Sequence, residues 1–389
     1  MINRPLEQTV QARFDQKVAA AEWVDSQSRL EALCLQWRQQ PVIGLDTEFI
    51  RTDTFYPKPG LIQVACAQGV YLIDPLAIDS MAPLVGLFED SKVLKVLHAC
   101  SEDLELFASS YGAVPQPLFD TQVACAFAGF GLSIGYQRLL ETFFNFSVDK
   151  QETRSDWLQR PLTESQRRYA ALDVVYLDEI YQRLATRLRE KGSYDWVLAE
   201  CQQLADEALV TPDPDQYYHR FRQAWKLKPQ QLKVLQSVSA WREREARVRD
   251  MPRNFLLHNN SVVGIAMKQP RTLGELSRIE QIRGRTLSKD GEALLSLVAA
   301  AQDSATVPEA PGAPLPSSEG NRVKVLKKTV QAVAAEWDIA PELLVRKRDL
   351  EALVRSGMGG GGYCLPQGLT GWREPLIGQP LLQALQQTS

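Results

Sequence analysis

Residues 41–65 read PVIGLDTEFIRTDTFYPKPGLIQVA. Val42, Ile43 and Leu45 have the make-up of a buried strand, and Asp46 and Glu48 follow at once, two positions apart. Side chains alternate between the faces of a strand, so both carboxylates project to one side of a sheet. Burying like charges together costs several kcal/mol per charge unless something positive neutralises them.

Around that stretch, apolar runs of strand length alternate with helical patterns. The runs PVIGLDTEF, GLIQVACAQ, GVYLIDP and KVLKVLHA are predicted strands, the first three close enough in sequence to form an antiparallel meander. SEDLELFASSYG then predicts a short helix, with Ser101 as its cap and two acids in its first turn. Residues 163–208 predict one or two further helices opening at Thr163. The prolines at 212 and 214 break that pattern, and no long strand signal follows.

The expected division is a flexible N-terminal extension over 1–19, an α/β domain over 20–210, an all-helical domain over 214–301, a flexible linker over 302–320 and a last helical unit over 321–389. The linker expectation rests on its Pro/Ala/Ser-rich composition, which has too little apolar area to order itself. In the middle domain, Val234, Val238, Trp241 and Val248 share one helical face, with arginines and glutamates expected on the other. The glycine run in SGMGGGGYCLPQG lacks the Lys-Ser/Thr of a phosphate loop and reads as a loop.

At 389 residues, 44% hydrophobic and 23% charged, the chain has the composition of a globular protein with two or three domains. It has neither an export-type apolar segment at its start nor a run of about eighteen apolar residues, which points to a cytoplasmic protein without a membrane partner. Six cysteines are scattered without a C-x-x-C pair and read as reduced, packed thiols; three distant histidines argue against a zinc site. Charge is uneven. Residues 1–213 carry 19 Lys+Arg against 30 Asp+Glu (net −11), residues 214–300 carry 16 against 8 (net +8), and the remainder 9 against 9. A polyanion would be drawn to the middle segment, although a solvated basic helical surface gives the same count.

Two more acids extend the opening pair. Asp103 lies just past KVLKVLHA, where a helix start meets the sheet, and Asp173 lies in QRRYAALDVVYLDEIY with Tyr169 four residues before it on the same helical face. Singly, each acid passes for a strand-end or surface charge. Together, in this order, they suit two divalent cations, Mg²⁺ or Mn²⁺, of the kind that serve phosphodiester hydrolysis.

This constellation resembles the DEDD exonuclease superfamily in its tyrosine subclass, on an RNase H-like fold. GLDTEFIRTDTFYPKPGLIQVA, VLKVLHACSEDLELF, FDTQVACAFAGFGLSIGYQRLL and TRSDWLQRPLTESQRRYAALDVVYL are similar to the bacterial ribonuclease D family. WREREARVRDMPRNFLLHNNSVVGIAMKQPRTLGELSRI resembles the HRDC module, and residues 321–389 are taken by position as a second, divergent copy. The resemblance implies that Asp46, Glu48, Asp103 and Asp173 bind the metals. It implies that Tyr169 orients the attacking water, and no histidine of the sister subclass stands near Ser165. Phe49 against a terminal base and Gln63 against sugar or phosphate are further candidate contacts, as readily a packed ring and a strand-surface amide. Asp120, Arg154 and Trp157 belong to the family-like stretches without an assigned chemical role, and His98 reads as packed or hydrogen-bonded.

The implied activity is metal-dependent 3′→5′ exoribonuclease action on structured RNA ends such as tRNA precursors, releasing 5′-phosphomononucleotides, with no obligate protein partner. A 3′→5′ DNA exonuclease and a non-catalytic nucleic-acid-binding protein are the alternatives; the second is expected to have lost at least one of the five residues, and all are present.

Overall fold

A computed structural model describes residues 8–146, 152, 155–358 and 360–387; Arg154 lies outside them. They form two compact units. One takes residues up to Ile50, Pro59–Leu209 and the chain from Leu315 on; the other takes Arg51–Lys58 and Val210–Pro314.

The first unit is built on a mixed sheet flanked by helices. In chain order its elements are α1 (Gln8–Ala19), β1 (Glu22–Val24), α2 (Gln27–Trp37), β2 (Val42–Ile50), β3 (Lys58–Ala65), β4 (Val70–Ile73), α3 (Ala82–Phe88), β5 (Leu94–Leu97), α4 (Ser101–Tyr111), β6 (Leu118–Asp120), α5 (Thr121–Phe127), α6 (Tyr136–Phe144), α7 (Glu164–Val175), α8 (Leu177–Lys191) and α9 (Tyr194–Leu209). The sheet order is β1-β4-β3-β2-β5-β6. β3 and β4 are antiparallel, while β1–β4, β2–β5 and β5–β6 are parallel. This is the expected α/β fold, with β2, β3 and β4 adjacent and β2 interior. The two edge strands have three residues each, too short for alternation to reveal them.

Three local expectations change. Residues 8–19 are not a free extension but helix α1, whose Val18 is buried and whose Gln11 donates to the Tyr176 hydroxyl at 2.9 Å. Ser101 is the first residue of α4 rather than its cap: the cap position is Cys100, and no side chain caps it. Residues 163–208 make three helices rather than one or two, the first opened by a reciprocal capping box between Thr163 and Gln166.

The second unit is helical, with α10 (Pro229–Val248), α11 (Arg253–Leu256), α12 (Asn259–Lys268), α13 (Leu273–Ser277) and α14 (Gly284–Asp303). α10 is its central helix, and its charged residues do not all face solvent: Arg242 and Glu243 are buried while Val248 is exposed. A central helix has neighbours on several sides, so its buried charges are paired instead of hydrated. Glu243 takes guanidinium groups from Arg247 and Arg253 at 2.9 and 2.5 Å, and Arg242 donates to the Leu257 carbonyl and to Asn259. The segment Arg51–Lys58, between β2 and β3 in sequence, belongs to this unit. Phe55 is buried beside Ala246 and Leu256, and the Phe55 and Tyr56 amides both donate to the Asp250 carboxylate, at 3.0 and 3.1 Å.

The expected linker is irregular from 304 to 316 but has helical ends, a 3-10 turn at Ser317–Glu319 among them. α14 runs to Asp303, and the Tyr218 hydroxyl donates to the Glu309 carbonyl at 2.8 Å. From Leu315 the chain returns to the first unit, adding α15 (Gly320–Glu336), α16 (Pro341–Leu344), α17 (Lys347–Ser356) and α18 (Gln379–Gln386). These helices have a core of their own. They are fixed to α9 by Trp372 stacked on Trp196 at 5.0 Å and by Arg373 forked onto Glu200 at 2.6 and 2.8 Å. Among the described residues no helix is long and apolar enough to cross a membrane, and all six cysteines are unpaired.

Candidate active site

Leu45 at the buried face of β2 holds the strand in the core, and the strand delivers Asp46 and Glu48 at its C-terminal end. α7 and α8 cross this strand closely because residue 44 is glycine. A Cβ there would lie 3.0 Å from the Leu177 side chain and 3.2 Å from the Val174 carbonyl. The close approach brings Asp173 of α7 to the acids of β2: one oxygen from each of Asp46, Glu48 and Asp173 lies within 4.8 Å of the other two. All three keep some surface open, so a ligand can reach them.

Asp103 is more deeply buried, in the first turn of α4, and receives a short hydrogen bond from the Thr47 hydroxyl. Its helix start is set by Asp120 of β6. That carboxylate accepts the amides of Ala99 (3.1 Å) and Cys100 (2.9 Å) ahead of α4, and those of Gln122 (2.7 Å) and Val123 (3.3 Å) at the start of α5. Ala99 itself sits at a positive φ of 56°, a strained turn that these bonds hold. His98 is packed, as expected: its Nδ1 lies 2.8 Å from the Thr121 hydroxyl, and burial lowers its affinity for a proton.

The four carboxylates hold their protons unusually tightly. Burial, then repulsion from Asp103, Asp173 and Glu48, pushes Asp46 well above the ordinary range. Burial and the charges of Asp173 and Asp103 push Glu48 up to about 9. Burial raises Asp103 to about 7 against the opposing Thr47 hydrogen bond, and raises Asp173 to about 7 against that from Tyr169. Tyr169 is raised by burial and by Asp173, Glu48 and Asp46, so its phenol keeps its proton at neutral pH and serves as a donor. Among the described residues none of the four acids takes part in a salt bridge.

The structure thus brings Asp46, Glu48, Asp173 and Tyr169 together with Asp103 beside them. Phe49 is half-buried at the end of β2. Gln63 is fully buried in β3, with neither amide atom hydrogen-bonded, so contact with a substrate is not part of this arrangement. Sequence reasoning missed Gly44, Thr47 and the role of Asp120. Only Gly44 carried a signal, a glycine inside a strand pattern, which marks a bulge or a close backbone approach.

An RNase H-like sheet carrying this acid cluster defines the class as a 3′→5′ exonuclease, and residues 21–189 match the family model described as 3'-5' exonuclease. Residues 231–298 match the HRDC domain. Ribonuclease D of Pseudomonas paraeruginosa is 44% identical over 367 residues, covering 94% of this chain and 97% of that protein. Ribonuclease D of Escherichia coli is 36% identical over 373 residues, 94% and 98% of the two chains. The crystal structure of the Escherichia coli enzyme, described as an exoribonuclease involved in structured RNA processing, superposes with a TM-score of 0.88 at 35% identity, covering 94% of this chain and 99% of that one. The chain belongs to the ribonuclease D family, the 3′→5′ exoribonucleases of this class.

Proposed function

We propose that the chain removes nucleotides one at a time from the 3′ ends of structured RNA, tRNA precursors above all, and releases 5′-phosphomononucleotides. Asp46, Glu48, Asp103 and Asp173 are the ligands of two divalent cations, Mg²⁺ or Mn²⁺, and Tyr169 orients the attacking water. The observation that carries this reading is the meeting of Asp46, Glu48 and Asp173 within 4.8 Å, buried enough to be reprotonated. Hard carboxylate oxygens, crowded and without a salt-bridge partner among the described residues, are a donor set suited to hard divalent cations. Bound there, such ions would neutralise the acids, polarise a phosphodiester and lower the pKa of a water.

The chain's own residues do the rest. The Tyr169 hydroxyl, protonated and hydrogen-bonded to Asp173, holds a water against the terminal phosphodiester; it is too weak an acid to act as the base itself. Thr47 and Asp120 keep Asp103 and its helix start in register with β2. Phe49, half-buried at the strand end, packs against the terminal base.

RNA is drawn by the second unit. Six of the sixteen cations in residues 214–300 are committed internally: Lys233, Arg242, Arg244, Arg247, Arg249 and Arg253. Arg220, Arg222, Lys226, Lys268, Arg271, Arg278, Arg283, Arg285 and Lys289 are exposed and available to phosphates. Six unpaired cysteines suit a reducing cytoplasm, where tRNA precursors are found.

The test is purified full-length protein on end-labelled tRNA precursor, the same RNA with a 3′-phosphate, and single-stranded DNA, each with Mg²⁺, Mn²⁺ or EDTA. Stepwise loss of 5′-mononucleotides from the free 3′ end, abolished by EDTA, is expected. Equal rates on the blocked RNA overturn the exonucleolytic reading, undiminished rates in EDTA overturn the metal reading, and a preference for DNA overturns the substrate.

A further inference from the structure

The segment between α6 and α7 contains Trp157, an indole buried with 2% of its surface exposed. Its ring centroid is 6.1 Å from that of Tyr169, inclined by 38°. Beneath it lies Gly60 of β3, where a Cβ would come within 2.6 Å of the Trp157 carbonyl and 2.7 Å of its Cβ, so this backbone sits directly on the sheet. What holds it down is Arg160. Its guanidinium forks onto Asp74 at 2.7 and 2.5 Å and also donates to the carbonyls of Gly60 (2.7 Å), Trp157 (3.0 Å) and Gln159 (2.8 Å). It lies 5.6 Å from the Trp23 ring as well. One side chain therefore ties the carbonyl of Trp157 to that of Gly60 and both to an acid just past β4. No other described side chain joins that segment to the sheet at so many points.

We propose that Arg160 is a positioning residue for hydrolysis. Clasped by Asp74, it pins Trp157 so that the indole fixes the ring of Tyr169 and hence the direction of its hydroxyl. This rests on Tyr169 being the residue that orients the water. Arg160 bonds to Asp74 and to backbone carbonyls rather than to Asp46, Glu48, Asp103 or Asp173, and acts only through the two aromatic rings. A lysine at 160 cannot fork onto Asp74 while serving three carbonyls, so it does not replace the arginine.

The test is a double-mutant cycle on a short single-stranded RNA at saturating Mg²⁺, with kcat and KM for the parent, Arg160→Ala, Tyr169→Phe and the double variant. Tyr169→Phe is expected to lower kcat tenfold or more. Arg160→Ala is expected to lower kcat by a similar factor with KM within about twofold, and the double variant to be within about twofold of Tyr169→Phe alone, because the clasp has nothing left to position. Arg160→Lys should remain impaired. If Tyr169→Phe is slow but Arg160→Ala adds its full factor on top, the clasp does not work through Tyr169 and this inference fails while the role of Tyr169 stands. If Tyr169→Phe turns over like the parent, the role of Tyr169 fails and the inference with it. Should Arg160→Ala unfold, Asp74→Asn keeps the size of the partner and enters the same cycle, with a smaller loss that must likewise vanish in the Tyr169→Phe background.

Discussion

Two of the regions that bury carboxylates, α10 and β2, treat them in opposite ways. On α10, burial works to raise Glu243, but the guanidinium groups of Arg253 and Arg247 outweigh it and the carboxyl ends below its ordinary value. In β2, Asp46 and Glu48 meet Asp173 with no salt bridge among the described residues, and all three rise. A charge buried for structure is completed inside the fold. A set of charges left incomplete, at a cost to stability, marks a place where something from outside completes it.

The largest effect that bears on this contrast comes from deleting one of the unpaired acids. Asp46→Ala is expected to lower kcat about a thousandfold or more, since a ligand for the reaction is lost. The same substitution relieves repulsion, so without metal the variant should melt no lower than the parent; wild-type turnover with Mg²⁺ present would break the contrast on the catalytic side. Deleting the paired acid should do the reverse. Glu243→Ala strands two guanidinium groups and is expected to cost about 3 kcal/mol in urea unfolding, with kcat on a short RNA little changed. A variant as stable as the parent would mean that the pairing of Glu243 does not support the second unit.

pH separates the two sites next. Unfolded carboxyls release their protons near pH 4, whereas Asp103 and Asp173 hold theirs to about 7 and Glu48 to about 9. Between those values the folded chain binds more protons than the unfolded one, so these groups make stability fall as pH rises from about 5 to 9 in EDTA. Glu243 has the opposite sign: its contribution is present above the unfolded value and is lost as pH falls through its depressed one. Mg²⁺ should therefore raise Tm by an amount that grows with pH over that window, as thermal scans with and without EDTA would register. A pH-independent gain would place cation binding elsewhere. The smallest effect concerns the exposed cations. Arg283→Ala together with Arg285→Ala should weaken tRNA binding and flatten log Kd against log salt by about one unit per lost phosphate contact; an unchanged slope would remove these two from the RNA contacts.

Four of the five residues proposed for the site were legible as neighbours because two short patterns, Asp-x-Glu after an apolar run and Tyr-x-x-x-Asp on a helix, encode a shared face within a few residues, whereas Asp103 was marked only by its place after a strand. What supports them was not. Arg160 and its partner Asp74 are 86 residues apart, and Asp120 serves amides both before and after it in sequence. Nothing local distinguishes such groups from surface charges until the chain is folded. The same limit explains α10. Its arginines and glutamates look like a wetted face, and only the helices packed around it turn Arg242 and Glu243 inward. Composition likewise could not show that the stretch after α14 receives a hydrogen bond at Glu309 from Tyr218, 91 residues away.

The short stretch Arg51–Lys58 limits how this protein can be recombined. Most multidomain chains can be cut at a linker and each piece shuffled, but here the second unit includes eight residues encoded inside the first. A piece ending near Asp213 would leave the Phe55 ring uncovered and strip the Phe55 and Tyr56 amides of the Asp250 carboxylate that accepts them. It would also discard the chain from Leu315 on, with the Arg373 fork that fastens α9. Exchange of residues 210–314 with a relative thus has to carry residues 51–58 along, and insertions in that loop, otherwise the cheapest kind of change to a hairpin connection, are constrained by a fit to residues some two hundred positions downstream.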